Sequence, residues 1–252
     1  MAATRRVDIW NAVERTRASY YKSSIRRTRK GLEEQLKPIM EFLPDRVDEL
    51  TSSVVEALVE EQPIKDMMID IYYTVGRRFG KAVFGTLTKA EFTDDYFMRE
   101  VVQAVETAGM TGPDGVLLVT EMSNTTVKEI NHIISAAFEE GQSIQTTAAT
   151  IQASIKHMTN VRAVMIARTE TIRASNIGAM SGAKMTGLKL NKEWISTFDD
   201  RTRDDHLAAD GQIVGRDEFF NVGPDQLQYP ADASGSAWNT INCRCTLAFI
   251  PQ

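Results

Sequence analysis

Cysteine and long apolar runs are both scarce in this sequence of 252 residues, and each scarcity excludes a class of protein. Two cysteines, Cys243 and Cys245, are too few for a small fold held together by disulfides. No run approaches the roughly 18 consecutive apolar residues of a membrane span. The N-terminal MAATRRVDIW lacks the apolar core of a signal peptide, so signal-directed secretion is not expected. With 42% hydrophobic and 25% charged residues, the composition is that of a globular protein with one or two domains.

The net charge of -5 conceals an uneven distribution of charge along the chain. Residues 1–30 carry +7, and the remainder carries -12. Four of the N-terminal cations are spaced 7, 4 and 3 apart, which places them on one face of a helix. Such a face attracts any polyanion. It predicts either contact with DNA or an acidic partner, or a solvated face that pairs with the acidic remainder of the chain. The four residues are Arg15, Lys22, Arg26 and Arg29.

Apolar spacing predicts helices from about residue 15 to residue 187. Pro44 should end the first helix, because proline disrupts a helix interior. A short helix capped by Ser143 is expected, followed by a separate helix that starts at Thr159 or Asn160. The small residues of ASNIGAMSGAKMTG predict a close approach to a neighbouring helix or sheet. Further helix ends are predicted near Ala108 and at Gly141.

After Gly187 the pattern changes from helical to mixed. Alternation in LKLNKEWISTF predicts a strand. Asp199 or Asp200 is expected to cap a short helix. The dipeptide Asp210-Gly211 is typical of a turn.

Two more extended stretches, GQIVGRDEFF and CTLAFI, flank a structured loop predicted over 221–240. Helices first and strands later indicate an α+β fold. The N-terminal two-thirds is predominantly helical, and a small C-terminal mixed α/β subdomain contains a short antiparallel sheet. We divide the chain into a helical N-terminal region with a basic arm, 1–110, and a second unit, 111–252, which is helical to about 187.

The first of three open interpretations of the region 194–245 is a metal site. Cys243 and Cys245 would project to the same side of a strand, and His206 would supply a third ligand for zinc. An aspartate or a water molecule would be the fourth ligand. This spacing is not specific, and two thiols packed near a hydrogen-bonded histidine would give the same pattern. A disulfide between the two cysteines would close a strained ring.

The second interpretation is hydrolysis, and the third is architectural. Aspartate, histidine and arginine in one short helix could form a general-base site. However, the sequence contains no nucleophile elbow and no H-E-x-x-H motif, so no catalytic residues are predicted. In the architectural interpretation the acids cap the helix, the arginines pair with acids or a partner, and C-R-C closes the sheet. His132 and His157 lie far from other ligand residues and are expected to be structural or exposed.

Several short motifs occur in a fixed order in the second half of the sequence. They are A-R-T-E-T (Ala167–Thr171), W-x4-D-D-R-T-R-x2-H (Trp194–His206), D-G-x2-V (Asp210–Val214), E-F-F (Glu218–Phe220), Y-P-x-D (Tyr229–Asp232) and N-C-R-C (Asn242–Cys245). This order resembles the phage head-morphogenesis domain family, the minor head proteins similar to protein F of phage Mu, over about 120–248. The unit 111–252 would be that domain. The matching family positions are Trp194, Asp200, Arg203, His206, Asp210, Gly211, Asn242, Cys243, Arg244 and Cys245.

The resemblance implies a virion protein, namely a minor capsid protein of a tailed bacteriophage that acts in head morphogenesis and procapsid assembly. The protein would lie in the capsid interior near the portal vertex, after assembly in the host cytoplasm. Its implied partners are the portal protein, capsid or scaffolding protein, and double-stranded DNA, with no membrane. It would assist DNA packaging or ejection.

The resemblance also bears on chemistry. The resemblance implies no reaction for the core domain, so the protein is not expected to be an enzyme. Zinc is the one candidate cofactor. The alternative is a metal-dependent, nuclease-like enzyme that acts on DNA and is carried in the virion. In the structural interpretation the basic face formed by Arg15, Lys22, Arg26 and Arg29 would contact DNA or the portal.

Overall fold

The structure is a computed structural model that describes residues 2–106, 110–140 and 143–252. These residues are mainly helical, with a small C-terminal antiparallel sheet, which confirms the α+β prediction. The helix ends predicted near Ala108 and at Gly141 lie outside the described residues. The helices are α1 (Ala2–Arg46), α2 (Ser52–Leu58), α3 (Gln62–Ile71), α4 (Arg77–Leu87), α5 (Asp94–Glu106), α6 (Leu118–Glu139), α7 (Ile144–Met185), α8 (Asp204–Ala209) and α9 (Ala237–Thr240).

Two predicted helix breaks are wrong. α1 continues past Pro44 to Arg46, because a proline in the last turn removes only one hydrogen bond before the helix ends. α7 is a single helix of 42 residues that runs through Thr159 and Asn160. Both side chains bond to carbonyls four residues earlier in the same helix, at 2.8 and 3.0 Å, and so do not cap a new one. The cap at Ser143 is confirmed, since its hydroxyl accepts a hydrogen bond from the Thr146 N–H.

α7 packs along α1, and two apolar clusters form around this pair. The first cluster contains residues on both sides of position 110, so the regions 1–110 and 111–252 share a core. The second cluster joins α1 to α2, α6 and the first half of α7. Representative residues are Met68, Tyr72, Phe97, Trp194 and Phe220 in the first cluster, and Leu36, Leu43, Val55, Ile130 and Ile151 in the second.

The second half of α7 meets α4 through glycines. A π-helical turn, Tyr72–Gly76, joins α3 to α4 and contributes Gly76 to this contact. A Cβ atom at Gly178 would overlap the backbone of Gly76, and one at Gly182 would overlap the backbone of Gly80. The close approach predicted from the small residues of α7 is therefore confirmed.

Two small antiparallel sheets form the C-terminal part. The first has the order β2 (Ile213–Gly215), β1 (Leu190–Ile195), β5 (Thr246–Pro251). The second is a hairpin of β3 (Phe220–Val222) and β4 (Asp225–Leu227). The loop predicted over 221–240 therefore contains β4, most of β3 and the short helix α9. A φ of +78° at Gly211 confirms the predicted turn there.

No helix in the described part of the chain is long and apolar enough to cross a membrane.

Candidate functional site

The fold brings together the three side chains predicted as metal ligands. His206 Nδ1 lies 3.4 Å from Cys245 Sγ and 3.9 Å from Cys243 Sγ. The three possible ligand atoms lie within 4.8 Å of one another, and the side chains are 2%, 1% and 0% exposed for His206, Cys243 and Cys245. The cysteines precede β5 and do not lie in a strand, but both face the same histidine. We call these three residues the His–Cys cluster.

Electrostatics in the His–Cys cluster favour one thiolate. Burial alone would raise the pKa of the Cys243 thiol, but hydrogen bonds from Cys245 and His206 outweigh it and hold that pKa well below its usual range. Burial and the neighbouring Cys243 raise the pKa of the Cys245 thiol. The thiolate is the form of cysteine that reacts and binds metals.

Trp194 forms one wall of the His–Cys cluster. It is fully buried, and its ring meets the His206 ring edge-on at a centroid distance of 5.9 Å. It meets Phe220 in the same way at 5.3 Å. The Nε2 atom of His206 is buried and has no hydrogen-bond partner, so Nδ1 is the nitrogen that faces polar groups.

The prediction that Asp199 or Asp200 caps α8 is wrong. The helix starts at Asp204, and no side chain caps it. The Asp199 carboxylate accepts two hydrogen bonds from Arg244, at 2.5 and 2.7 Å, and one from the Arg201 backbone. Two charge-assisted hydrogen bonds from an arginine are stronger than the hydrogen bond that a capping carboxylate accepts from a backbone N–H. The Asp199 carboxylate therefore lies against Arg244 and not at the start of α8. Asp200 is exposed.

Asp199→Asn should lower the free energy of unfolding by about 1 kcal/mol at neutral pH, because it removes a charge-assisted pair at a half-exposed site. Hydrogen bonds from Arg244 hold the pKa of Asp199 well below its usual range. A lowered carboxyl pKa stabilises the folded state above the unfolded pKa of about 4, and that stabilisation is lost as the pH falls below it. The free energies of unfolding of the wild type and of Asp199→Asn, measured by urea denaturation, should therefore differ at neutral pH and converge in acid.

Asp200→Asn is the matched control for that measurement, and we expect no change at either pH. A loss for Asp199→Asn that is equal in acid and at neutral pH would contradict the charge pairing.

Two further family positions fix the segment before the cysteines. Arg203 donates a hydrogen bond to the Ile241 carbonyl at 2.8 Å, and its guanidinium lies 5.3 Å from the centre of the Trp238 ring. Asn242 has a φ of +56°, a region asparagine tolerates, and its N–H donates to Thr169 Oγ1 at 3.2 Å. Arg203 therefore holds the segment before N-C-R-C next to the start of α8, and Asn242 holds it against α7.

Asp210 and Gly211 connect α8 to the sheet. The Asp210 carboxylate accepts a hydrogen bond from the Ser196 N–H at 2.9 Å. Its second oxygen lies 3.3 Å from a guanidinium nitrogen of Arg6 on α1. These contacts give both residues an architectural role.

A surface pocket of about 570 Å³ collects residues from several of the motifs. Its arginines come from α7, from the segment before α8 and from N-C-R-C. Trp238 is 65% exposed there, so an aromatic face is available beside the guanidinium groups. Sequence reasoning missed this pocket because its residues are far apart in the chain. We call it the arginine pocket, and it is lined by Glu14, Tyr21, Arg168, Arg201, Arg203, Trp238, Asn242 and Arg244.

The basic residues of α1 fall into two groups. Arg15, Lys22, Arg26 and Arg29 are exposed, and none of them has a hydrogen bond or an ion pair to a described residue. Other cations of α1 pair with acids elsewhere in the chain, as the interpretation of a solvated, acid-paired face expects. Arg5 and Arg6 pair with Glu193, Arg6 also pairs with Asp210, and Arg27 pairs with Asp70. The four residues predicted to contact a polyanion are therefore the unpaired ones.

Arg17 was missed by sequence reasoning, although it connects α1 to the matched motifs. It is 0% exposed. Its guanidinium donates hydrogen bonds to Ser175 Oγ at 2.8 Å and to Asn176 Oδ1 at 3.1 Å on α7. It also donates to the carbonyls of Arg244 at 3.0 Å and Cys245 at 3.1 Å. The one sequence signal of this buried role is that Arg17 lies on the inward face of a helix rich in basic residues.

The A-R-T-E-T motif also has a core role. Glu170 accepts hydrogen bonds of 2.5 Å from Arg173 and from the Tyr72 hydroxyl. All three side chains are buried. This pairing satisfies a buried carboxylate, which would otherwise be costly.

Residues 128–248 match the family described as Phage Mu protein F like protein. This part of the chain is similar to that family, and it contains every family position named above. The helix α1 lies outside the match.

Two curated proteins are similar to parts of this chain. The NAD(+)–arginine ADP-ribosyltransferase EFV of Enterococcus faecalis (strain ATCC 700802 / V583) is 36% identical over 123 residues, covering 46% of this chain and 24% of that protein. The uncharacterised protein YqbB of Bacillus subtilis (strain 168) is 25% identical over 131 residues, covering 50% of this chain and 43% of that protein. The chain thus spans less than half the length of either relative. No solved structure matches it.

Proposed function

We propose that the protein is a minor capsid protein of a tailed bacteriophage that acts in procapsid assembly at or near the portal vertex. The observation that carries this proposal is the match of 128–248 to the phage Mu protein F-like family. Its partners would be the portal protein and capsid or scaffolding protein. It would lie inside the capsid near the portal after assembly in the host cytoplasm.

Quantitative mass spectrometry of procapsids and virions from a phage that encodes this chain tests the proposal. We expect the chain in both particles at a low copy number relative to the major capsid protein. Deleting its gene should lower the yield of DNA-filled heads while portal and capsid protein are still made. Absence of the chain from both particles would contradict the assignment.

The four unpaired cations of α1 are proposed to contact the phosphate backbone of double-stranded DNA during packaging or ejection. They lie on one face of a helix and within 14 residues, which is about 21 Å. Arg15 and Lys22 directly follow Glu14 and Tyr21, which line the arginine pocket. Phosphate attraction needs positive charge and no base reading, so this surface suits packaged DNA of any sequence. An acidic surface of the portal is the other candidate partner.

Neutralising the four residues should weaken DNA binding at least about tenfold and lower the salt dependence of log K by about 0.9 for each lost phosphate contact. The variant is Arg15→Gln, Lys22→Gln, Arg26→Gln and Arg29→Gln, measured by fluorescence anisotropy against duplex DNA across a salt series. Truncation of 1–30 is unsuitable, because it would also remove the buried Arg17.

The control for DNA binding changes the same net charge at four exposed cations elsewhere on the chain. Arg78, Lys89, Arg99 and Lys128 are exposed and serve this purpose when replaced by glutamine. An equal loss of affinity in both variants would show that net charge alone drives binding and would contradict a DNA-contacting face on α1.

A metal-dependent, nuclease-like enzyme acting on DNA is the second candidate function, and the His–Cys cluster is the observation that favours it. The transferase activity in the name of the Enterococcus faecalis relative belongs to a protein of which this chain matches 24%. We propose a structural role for the present chain. Cleavage of plasmid DNA in the presence of zinc, abolished by His206→Ala, would overturn that proposal.

A further inference from the structure

We propose that His206 Nδ1, Cys243 Sγ and Cys245 Sγ bind one zinc ion, which joins α8 to the segment that leads into β5. The proposed role in head assembly requires no metal, so this site is a separate property of the chain. Three observations on the described residues support it: the spacing of the ligand atoms, their chemistry, and the groups that surround them.

The spacing matches the edges of a zinc tetrahedron. With Zn–S bonds of about 2.3 Å and Zn–N bonds of about 2.0–2.1 Å, a nitrogen and a sulfur ligand lie about 3.6 Å apart. The two observed distances from His206 Nδ1 are 3.4 and 3.9 Å. Two edges of the tetrahedron are therefore close to the required length, and the two sulfurs lie within 4.8 Å of each other. The fourth corner would be taken by a water molecule, as in zinc sites with three protein ligands.

The ligand chemistry selects among metals. Thiolate and imidazole are ligands that zinc favours, whereas magnesium and calcium require oxygen ligands. No carboxylate belongs to this group, and it is the one group of three or more potential ligands in the part of the chain that the structure describes. Both thiols are free. A disulfide between residues two apart would be strained, which leaves the sulfurs available for a metal.

The surroundings bury the three ligand side chains and place a cation beside them. The Arg17 guanidinium donates a hydrogen bond to the Cys245 carbonyl at 3.1 Å, which places a positive charge beside that residue. Trp194 covers the histidine ring. A cation beside the ligands offsets part of the negative charge of metal-bound thiolates.

A bound ion would cross-link a part of the chain that is built from short elements. α8 has six residues, and the strands β2, β3 and β4 have three each. Because the unfolded chain lacks the assembled site, the binding energy adds directly to the stability of the fold.

The test is metal analysis of the full chain purified from zinc-supplemented medium without chelators. We expect about one zinc ion per chain, and background levels in Cys243→Ser, Cys245→Ser and His206→Ala. The chain has three histidines and two cysteines in all, so His132→Ala and His157→Ala are matched controls that should retain the zinc. Both control residues are exposed. A folded, zinc-free wild-type chain, or zinc lost equally in the controls, would overturn the proposal.

Cobalt titration of the chelator-treated wild-type chain keeps the proposal testable if the variants fail to fold. Binding at the His–Cys cluster should give the visible bands of tetrahedral cobalt and a near-ultraviolet thiolate-to-cobalt transition, both abolished by one equivalent of zinc. Both thiols should become unreactive to a thiol reagent on zinc addition. A cobalt complex without the thiolate transition, or two thiols that stay equally reactive with zinc, would overturn the site. Neither result would affect the head-assembly proposal, which is tested on particles.

Discussion

Arg17→Ala should lower the free energy of unfolding by about 3–5 kcal/mol, the range seen when one partner of a buried charged network is removed. The guanidinium is fully buried and donates four hydrogen bonds to α7 and to the two carbonyls beside the cysteines. Each of the four acceptors would lose one charge-assisted hydrogen bond in the interior and keep a weaker partner, such as Trp10 for the Arg244 carbonyl and Asn176 for the Cys245 carbonyl. Alanine would also leave a cavity between α1 and the C-terminal sheet.

Arg15→Ala is the matched control, because it removes the same side chain from an exposed position two residues away in the same helix. We expect a change of no more than about 0.5 kcal/mol for it. Urea unfolding followed by circular dichroism measures both variants. Similar small losses at the two positions would show that the buried network contributes little and that α1 is held by apolar contacts alone.

Gly178→Ala should be the second most damaging change, with a loss of about 1–3 kcal/mol or more. The new methyl group would overlap the backbone of Gly76, so α4 and α7 would have to separate. The backbone of Gly76 cannot move aside as the end of a flexible side chain can. The first apolar cluster, which both helices line, would therefore lose packing density.

Gly85→Ala is the control for Gly178→Ala, and we expect it to change the stability in the opposite direction. Gly85 lies in α4, is exposed, and has no atom within 4 Å of an added Cβ. Alanine there should stabilise the protein by up to about 1 kcal/mol, because glycine disfavours helices. Thermal melting of both variants decides the question. A melting temperature unchanged by Gly178→Ala would mean that the α4–α7 contact is looser than the structure shows.

The sequence predicts the elements whose signals are local. The cap at Ser143, the strand around Trp194, the turn at Gly211 and the last strand all follow from residue types within a few positions. The wrong predictions concern residues with two options. Thr159 and Asn160 can cap a new helix or bond back into an existing one, and only the packing of α7 decides between them.

The candidate site shows the same division. Its three potential metal ligands were identified by residue type, but their distances follow from α8 and the N-C-R-C segment folding against each other. Asp199 was given to the helix next to it because its true partner, Arg244, lies 45 residues away. Arg17 was missed because a charged residue on the inward face of a helix is a weak signal, and the arginine pocket was missed because its residues are far apart in the chain.

The continuity of α7 has a mechanical consequence. Forty-two residues at about 1.5 Å each give a helix of about 63 Å, with backbone hydrogen bonds unbroken from Ile144 to Met185. One end lies in the second apolar cluster and the other supports the glycine contact and the sheets. A force applied to the C-terminal sheets would be transmitted along this helix to α6 and α2 with no hinge between. Under such a load the protein would respond as a stiff spacer of fixed length.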